Sequence, residues 1–464
     1  MRLFYNTTKM CTATLAGVLI CTAAWADFIV VGHPNNQSSA AGHLFIFGAN
    51  GVTGTIASND GALNQPFTIG PSGVLDIDVP SSQFLSPGNT VLNKALRVTS
   101  ASPISGYFLN RQQSTSDMGY LLDIPALGTQ YRVLSWQQAY NDIQMSLTAV
   151  QNGTVATVTP ASPLVSGQAA GVPFTVSLNA GESIIYNAAS GNDLTGSLIT
   201  ANKPLAVFSG AQCSNVPTTA TYCDHLFTQV PPVNHYASEY VVPETANTGS
   251  AGNLVRIVAA TANTVVTVNG TVVATLAAGA FHEIATAHNL HITTSQPALV
   301  GQYLKGVSAT GFGDPALTYV PGIHQTLSDY VFTTPTTSAT STAFAQNFLN
   351  LAVPTSALGS LVLNGATVDT SAFTPVGTSG YSAGTVDVPV GAGRIQASTP
   401  FLATLAGFSN ADSYLTIIGA SYSAGGSAQP TAAVPVPVNS PAGLLMAALG
   451  LLAIGAWQQR RRQG

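Results

Sequence analysis

The sequence predicts an all-β fold made of four repeats of about 100 residues. Short runs of alternating apolar and polar residues, typical of half-buried strands, recur along the chain. The 44 glycines and 27 prolines are spread evenly and supply turns between these runs, with strong hairpin signals at Asn269-Gly270 and Asn364-Gly365. Outside the two ends, no window of helical length combines a 3.6-residue apolar period with capping residues.

Four prolines mark the repeat, and each stands between a strand-like run and an apolar run. They are Pro103, Pro204, Pro297 and Pro400. Proline fixes φ and cannot donate to a strand ladder. We therefore expect each proline to occupy a turn between two strands.

An aspartate follows each proline, just ahead of a further apolar run. These residues are Asp117, Asp224, Asp314 and Asp412. Their recurrence predicts a structural role in every unit, with the carboxylate accepting backbone N–H groups in an Asx turn where a strand begins. Calcium binding is the alternative, but it needs about six or more oxygen ligands, and no DxDxDG-type cluster surrounds these positions.

Recurring strand starts set the boundaries of the units. Tyr131, Tyr240 and Tyr330 each open an apolar run, and Phe28 near the N-terminus supplies the fourth such start. Each unit is expected to contain about eight short strands. The predicted units are 27–130, 131–239, 240–329 and 330–424.

Two architectures fit units of this size. Tandem β-sandwiches have about 100 residues per domain, whereas each unit also divides into halves of about four strands, the size of a propeller blade. The last unit ends without a Tyr-Val-Val-like strand, and the N-terminus carries one at Phe28. A closed ring would pair the two, so we favour a closed, propeller-like toroid over tandem β-sandwiches.

Residues 1–26 are predicted to be a secretory signal peptide that signal peptidase removes. Arg2 and Lys9 precede an apolar run that ends at Ala24-Trp25-Ala26, where small residues suit the peptidase. This run is too short to span a bilayer comfortably. Asp27 is then the first residue of the mature protein.

The C-terminus is predicted to be a Pro-rich linker, 425–441, followed by a transmembrane sorting tail, 442–464. The apolar segment ends in Arg460, Arg461 and Arg462, which favour a cytoplasmic C-terminus and an external body. The tail resembles bacterial PEP-CTERM and IPTL-CTERM sorting signals. That resemblance implies a Gram-negative-type envelope and processing by an exosortase-like membrane protease. The motif departs from Pro-Glu-Pro and Ile-Pro-Thr-Leu and consists of Val436, Pro437, Val438, Asn439, Ser440 and Pro441.

Composition narrows the range of partners. Charged residues make up only 7% of the chain, against about 25% in an average soluble protein. Five of the 13 basic residues lie in the two ends, which leaves eight against 18 acidic residues in the mature body. This acidity argues against nucleic acid as a partner, because phosphate binding needs clustered Lys and Arg.

Two cysteines, Cys213 and Cys223, remain after the signal peptide is removed. In the oxidising compartment that export implies, we expect a disulfide between them. Closing so short a loop would contribute about 2–3 kcal/mol. The alternative, half of a metal site, lacks partner cysteines and has only His225 beside it.

The stretch from about Pro204 to Tyr414 resembles the N-terminal domain of the IgGFc-binding protein family, and residues 27–203 fit the same repeat more loosely. The resemblance implies an extracellular β-rich module with relatives among mucus-associated animal proteins and bacterial surface proteins. No short motif carries immunoglobulin binding, so that activity is not transferred. The residues that carry the resemblance are Cys213, Cys223-Asp224-His225, Pro231-Pro232 and Tyr240-Val241-Val242-Pro243.

The sequence shows no set of residues with the spacing of a known catalytic site. His282-Glu283, His288 and His291 lack the i, i+4 spacing of a zinc-protease helix and are interpreted as part of a hairpin. Asp76 and Asp78 share one face of a strand and could suit acid–base chemistry, but their pattern favours the solvated face of an amphipathic strand. The sequence contains neither a Gly-x-Ser-x-Gly nucleophile elbow nor a phosphate loop. We therefore predict no catalytic residue, no metal and no cofactor.

These observations favour an exported, non-enzymatic protein of the cell surface or extracellular matrix, transiently anchored in the inner membrane by its C-terminal helix. Loops at one rim of a repeated β scaffold would bind glycans or extracellular proteins. One alternative is an exported polysaccharide hydrolase with paired carboxylates in a groove. Another is a coat component that self-associates through strand edges.

Overall fold

The computed structural model describes residues 26–34, 41–112, 114–137, 143–338 and 341–422. Residues 1–25, the linker and the sorting tail lie outside these ranges, so the predictions made for the two ends stay predictions. Within the described ranges, no helix has the length and apolar composition needed to cross a membrane. The all-β prediction is confirmed, because strands dominate the described chain and the only α-helix in it is α1 (Val307–Thr310).

The strands fall into four consecutive units. Unit 1 contains β1 (Ala26–Val30), β2 (Ala41–Gly48), β3 (Thr53–Ser58), β4 (Asn64–Thr68), β5 (Val74–Val79), β6 (Leu96–Ser100), β7 (Ile104–Arg111) and β8 (Asp117–Leu121). Unit 2 contains β9 (Gly128–Arg132), β10 (Ile143–Ala149), β11 (Thr154–Thr159), β12 (Phe174–Leu178), β13 (Ser183–Asn187), β14 (Leu198–Ser214) and β15 (Asp224–Gln229). Unit 3 contains β16 (Ala237–Val242), β17 (Asn253–Ala259), β18 (Thr264–Val268), β19 (Thr271–Leu276), β20 (Phe281–Ala287), β21 (Leu290–Leu304) and β22 (Ala316–Val320). Unit 4 contains β23 (Leu327–Thr333), β24 (Gln346–Pro354), β25 (Val362–Leu363), β26 (Ala366–Thr367), β27 (Thr374–Pro375), β28 (Tyr381–Asp387), β29 (Ala392–Ser409) and β30 (Asp412–Ile417).

Short 3₁₀ turns connect several of these strands. They span Ser81–Gln83, Ile124–Ala126, Val233–His235, Gly249–Ala251, Ile323–Gln325 and Thr355–Ser360.

Each unit contains two groups of antiparallel strands. In unit 1 the groups are separate four-stranded sheets with the orders β1-β6-β3-β4 and β5-β2-β7-β8. In the other units a single long strand, β14, β21 or β29, replaces the pair β6 and β7 and pairs with both groups, which joins them into one sheet of seven or eight strands. The two predicted Asn-Gly hairpins join β18 to β19 and β25 to β26, with positive φ at both turn residues.

The prediction that every proline lies in a turn is wrong in three of the four units. Pro103 lies between β6 and β7, but Pro204, Pro297 and Pro400 lie inside β14, β21 and β29. The register of the pairing with β9, β16 and β23 shifts near these prolines. A proline fits there because the strand is leaving one partner for another, so its missing N–H costs no ladder hydrogen bond.

A buried tyrosine holds each of these bends in units 2 to 4. The hydroxyl of Tyr131 donates to the carbonyl of Leu205, the residue after the proline, at 2.5 Å. Tyr240 donates in the same way to Ala298 at 2.5 Å, and Tyr330 to Phe401 at 2.6 Å. The equivalent residue in unit 1 is Phe28, which has no hydroxyl. In that unit the chain forms two separate strands, β6 and β7, instead of one long strand.

The four units close into a ring around their last strands. Strand β8 contacts β15, β15 contacts β22, β22 contacts β30, and β30 contacts β8. A contiguous apolar cluster of buried residues extends through all four units. The expectation that the N-terminal strand would complete the last unit is wrong, because β1 pairs with β6 of its own unit. Packing of the inner strands closes the ring instead.

Candidate functional site

The four aspartates that recur in the sequence meet around the axis of the ring. Asp117, Asp224 and Asp412 are the first residues of β8, β15 and β30, and Asp314 lies two residues before β22. All four side chains are buried. Each aspartate lies at or just before the start of the last strand of its unit. Because these last strands pack against one another around the ring, the four side chains come together.

Asp117 accepts hydrogen bonds from the backbone of all four units. Its carboxylate receives the N–H groups of Met118 at 2.8 Å, Phe227 at 2.9 Å, Leu317 at 2.8 Å and Leu415 at 3.2 Å. The last three donors are each the third residue after the aspartate of their own unit. The sequence predicted local Asx turns, but three of the four donors come from other units, because this side chain lies on the axis.

Asp224 lies beside it and also joins units. Its carboxylate accepts from the N–H groups of Ser116 and His225, both at 2.7 Å, and of Ser413 at 3.3 Å. Asp314 accepts from the N–H of Val307 at 3.4 Å. The axial carboxylates are therefore compensated mainly by peptide groups.

Burial shifts the protonation of these groups. It raises the pKa of Asp117 well above its usual range, although the four N–H groups oppose the shift. Burial also raises the pKa of Asp224, and repulsion from Asp412 and Asp314 adds to the rise. Burial raises the pKa of Asp314 to about 8. Burial at the axis therefore disfavours the charged form of these carboxyl groups.

Arg111 is the positive charge at this end of the axis. Its guanidinium forms a buried ion pair with Asp412 and donates to the Ser116 hydroxyl at 2.7 Å and the Thr342 carbonyl at 3.0 Å. The guanidinium also lies 4.5 Å from the centre of the Phe344 ring. Burial raises the pKa of Asp412, and Arg111 opposes that shift. This pair closes unit 1 onto unit 4.

A polar cavity of about 490 Å³ opens above the Arg111–Asp412 pair. The Ser341 hydroxyl is buried in its wall and makes no hydrogen bond to another described residue. Hydroxyl and amide groups above a buried ion pair can exchange hydrogen bonds with a polar, uncharged ligand. The polar side chains of the wall besides the ion pair belong to Gln112, Ser114, Ser338, Ser341, Thr342, Ser409 and Asn410.

A second cavity, of about 550 Å³, lies between units 1 and 2 and is less polar. Its described lining includes Pro87, Val165, Ile185 and Tyr186 and contains no charged side chain. We therefore regard the axial cavity as the candidate binding site, because of these two large cavities it is the one that combines charge with directional hydrogen-bonding groups.

Sequence reasoning missed this site because its parts come from units 1 and 4. Arg111 was the available signal. In a chain with only 7% charged residues, an arginine that ends an apolar strand shortly before a repeat aspartate indicates a buried ion pair.

The predicted disulfide is confirmed. Cys213 and Cys223 are bonded, with their Cα atoms 5.0 Å apart. The bond closes a loop next to β15. Tyr222 in this loop is 67% exposed. The Thr221 N–H of this loop donates to the Ser308 hydroxyl of unit 3 at 2.8 Å. The loop therefore rests on the neighbouring unit.

The histidines and carboxylates considered in the sequence separate into two groups. His288 pairs with Glu244 and His291 with Glu239, both at 2.9 Å, and no cluster able to share an ion includes them among the described residues. Asp76 and Asp78 are exposed as predicted, but both face the buried His43, which the sequence did not associate with them. The predicted sorting motif, 436–441, lies outside the described residues.

Comparisons with known proteins assign the chain to a family. A family model described as IgGFc binding protein matches residues 117–407. The human (Homo sapiens) IgGFc-binding protein is 30% identical over 201 residues, which cover 42% of this chain and 4% of that protein. The chain therefore corresponds to a small part of that relative's length.

One solved structure, the GH78 family rhamnosidase of Bacillus sp. GL1, aligns with a TM-score of 0.13 and 9% identity. The alignment covers 67% of this chain and 55% of that chain. A similarity at this level supports no conclusion about fold or activity.

Proposed function

We propose that this chain, which belongs to the IgGFc-binding protein family, is an extracellular, non-enzymatic binding protein whose axial cavity holds one sugar residue of a glycan. The observation that carries the proposal is the cavity of about 490 Å³ with hydroxyl and amide walls above the buried Arg111–Asp412 pair. A sugar presents hydroxyl groups that both donate and accept, as these walls do.

The ends of the chain support an extracellular location. The signal peptide predicted at 1–26 would export the body, and the tail at 442–464 would hold it in the inner membrane until an exosortase-like protease transfers it to the surface. The disulfide between Cys213 and Cys223 suits the oxidising conditions outside the cytoplasm.

The name of the human relative states binding to the Fc part of IgG. We favour a glycan over a protein surface for this chain, because a cavity admits a single sugar ring, whereas a stable protein interface buries about 800 Å² on each partner. The ring then acts as a rigid frame that holds the cavity walls in place.

The experiment is a glycan array probed with the purified full chain, followed by calorimetry on the best ligand. We expect Asn410→Ala, which removes an exposed amide from the cavity wall, to weaken binding about tenfold, equivalent to about 1.4 kcal/mol. Ser166→Ala, in the second cavity, is the matched control and should bind as the unchanged protein does.

Three outcomes would count against the proposal. They are binding to no glycan, equal binding by the Asn410→Ala variant, and tight binding to immobilised Fc that this variant leaves unchanged. The last outcome would favour a protein partner on another surface. Thermal unfolding of each variant checks that the fold is retained.

A further inference from the structure

Three side chains on the outer sheet of unit 1 converge on one point. His43 lies on β2 directly opposite Asp78 on the edge strand β5, and Asp76 lies two residues away on the same face. The Nδ1 atom of His43 is 3.2 Å from an Asp76 carboxylate oxygen and 3.3 Å from an Asp78 oxygen. The His43 side chain is 1% exposed, whereas those of Asp76 and Asp78 are 32% and 60% exposed.

Hydrogen bonding to Nδ1 alone accounts poorly for this arrangement. An imidazole Nδ1 carries at most one proton, yet two carboxylates approach it at nearly equal distances. Charge-assisted N–H···O bonds are usually about 2.7–2.9 Å long, shorter than either contact. Bonds of about 2.0–2.2 Å from a metal to nitrogen and carboxylate oxygen place neighbouring ligand atoms about 3 Å apart.

The charge balance points in the same direction. A single imidazole can supply at most one positive charge to two carboxylates. The equivalent place in unit 3 shows the compensated alternative. Phe45 of unit 1 and Arg256 of unit 3 occupy equivalent positions, because each pairs with the fourth residue after the repeat proline of its unit. On the outer strand, Phe45 lies opposite Asp76 and Arg256 lies opposite Glu283. Glu283 thus faces an arginine, whereas Asp76 faces a phenylalanine and turns to His43.

We propose that His43, Asp76 and Asp78 bind a first-row divalent metal ion such as Zn²⁺. One imidazole nitrogen and two carboxylate oxygens, all within 4.8 Å of one another, form a donor set that these ions accept. The partial exposure of both carboxylates gives the ion a path from solvent and leaves coordination positions for water. Both carboxylates lie on the edge strand β5, and none of the three residues lines the axial cavity. The metal site does not depend on the glycan proposal.

The experiment is calorimetric titration of Zn²⁺ into the metal-stripped full chain. We expect one site whose affinity falls at least tenfold in the variant Asp76→Asn/Asp78→Asn, because loss of ligands should exceed the effect of outer-shell changes. The matched control is Asp387→Asn. Asp387 is an exposed carboxylate on β28, the equivalent strand of unit 4, and it lies opposite Phe348 rather than a histidine.

Co²⁺ provides a second readout, because its visible spectrum depends on the number, type and geometry of its ligands. We expect the spectrum of the Co²⁺ complex to change in the double variant and to stay the same in Asp387→Asn. If the double variant does not fold, Asp78→Asn alone, at the more exposed position, tests the same ligand set. Equal Zn²⁺ affinity of the folded variant and the unchanged protein would overturn the proposal, as would equal loss of affinity in the control.

Discussion

Two of the buried ionisable side chains that join units, Arg256 and Asp117, are compensated in different ways. Arg256 of unit 3 is compensated by opposite charge, because its guanidinium meets Asp193 at 2.7 Å and Glu283 at 3.0 Å. Asp117 on the axis is compensated by four backbone N–H groups and forms no ion pair among the described residues. A buried arginine can thus be held by side chains, whereas a buried carboxylate can be held by the backbone alone.

The surroundings of Arg256 strengthen this contrast. The guanidinium lies 4.1 Å from the Trp136 ring centre and donates to the Ser135 carbonyl at 2.8 Å, and both residues belong to unit 2. A planar cation can stack and donate at the same time. Each Arg256 partner comes from unit 2 or unit 3, so this cluster joins two units, whereas Asp117 joins all four.

From this contrast we expect the largest loss of stability when Asp117 is replaced. Replacing it with alanine would leave four buried N–H groups without an acceptor, at about 1–3 kcal/mol each. The loss of about 4–12 kcal/mol rivals the whole stability of a typical protein, so we expect Asp117→Ala not to form the closed ring. Asp117→Asn keeps one acceptor oxygen and should lose about half as much. Denaturant unfolding of both variants measures this, and a loss below about 1 kcal/mol for alanine would contradict the axial role.

The second effect, at Arg256, should be somewhat smaller. Removing one partner of a buried ion pair typically costs about 3–5 kcal/mol, so we expect Arg256→Met to destabilise the protein by that amount. The matched control is Arg97→Met. Arg97 pairs with Asp27 but is 46% exposed, and exposed pairs contribute about 1 kcal/mol or less. Equal losses in the two variants, measured by denaturant unfolding, would show that burial does not distinguish them.

The same contrast shows what the sequence could predict. Local chemistry was visible, as the Asn269-Gly270 turn, the Cys213–Cys223 bond and the recurrence of the aspartates show. Contacts between units were not visible. The acceptor role of Asp117 toward Leu415 joins residues 298 positions apart, and nothing in either local sequence specifies it.

The prolines and the outer strand show a second reason for error. Pro204 was expected in a turn because it cannot donate, but a strand that changes partners also contains a residue that need not donate. His43 was not associated with Asp76 and Asp78 because cross-strand neighbours depend on the register of strand pairing, which the sequence of the two strands does not specify. The partners of Arg256 could not be assigned from the sequence, since they lie in two units.

The last prediction concerns proton binding at Asp314, where compensation is weakest and where the effect over a single pH unit is smaller than either loss above. Burial raises its pKa to about 8, the Val307 N–H opposes the shift, and repulsion from Asp412 adds to the rise. Between about pH 4 and pH 8 the folded chain therefore keeps a proton that the unfolded chain releases. Its contribution to stability is fully present below pH 4 and is lost as the pH rises to about 8, with a slope of at most about 1.4 kcal/mol per pH unit.

Asp314→Asn removes this titration while keeping the size of the side chain. We expect the free energy of unfolding of the unchanged protein, relative to the variant, to fall as the pH rises from 4 to 8. Taking the difference between the two proteins cancels the buried His33 and His225, whose pKa values of about 3 act in the opposite direction below pH 6.5. Urea unfolding at several pH values measures the difference. A difference that is independent of pH would mean that Asp314 titrates as an exposed carboxylate does, and the weak compensation inferred from its single N–H donor would then be wrong.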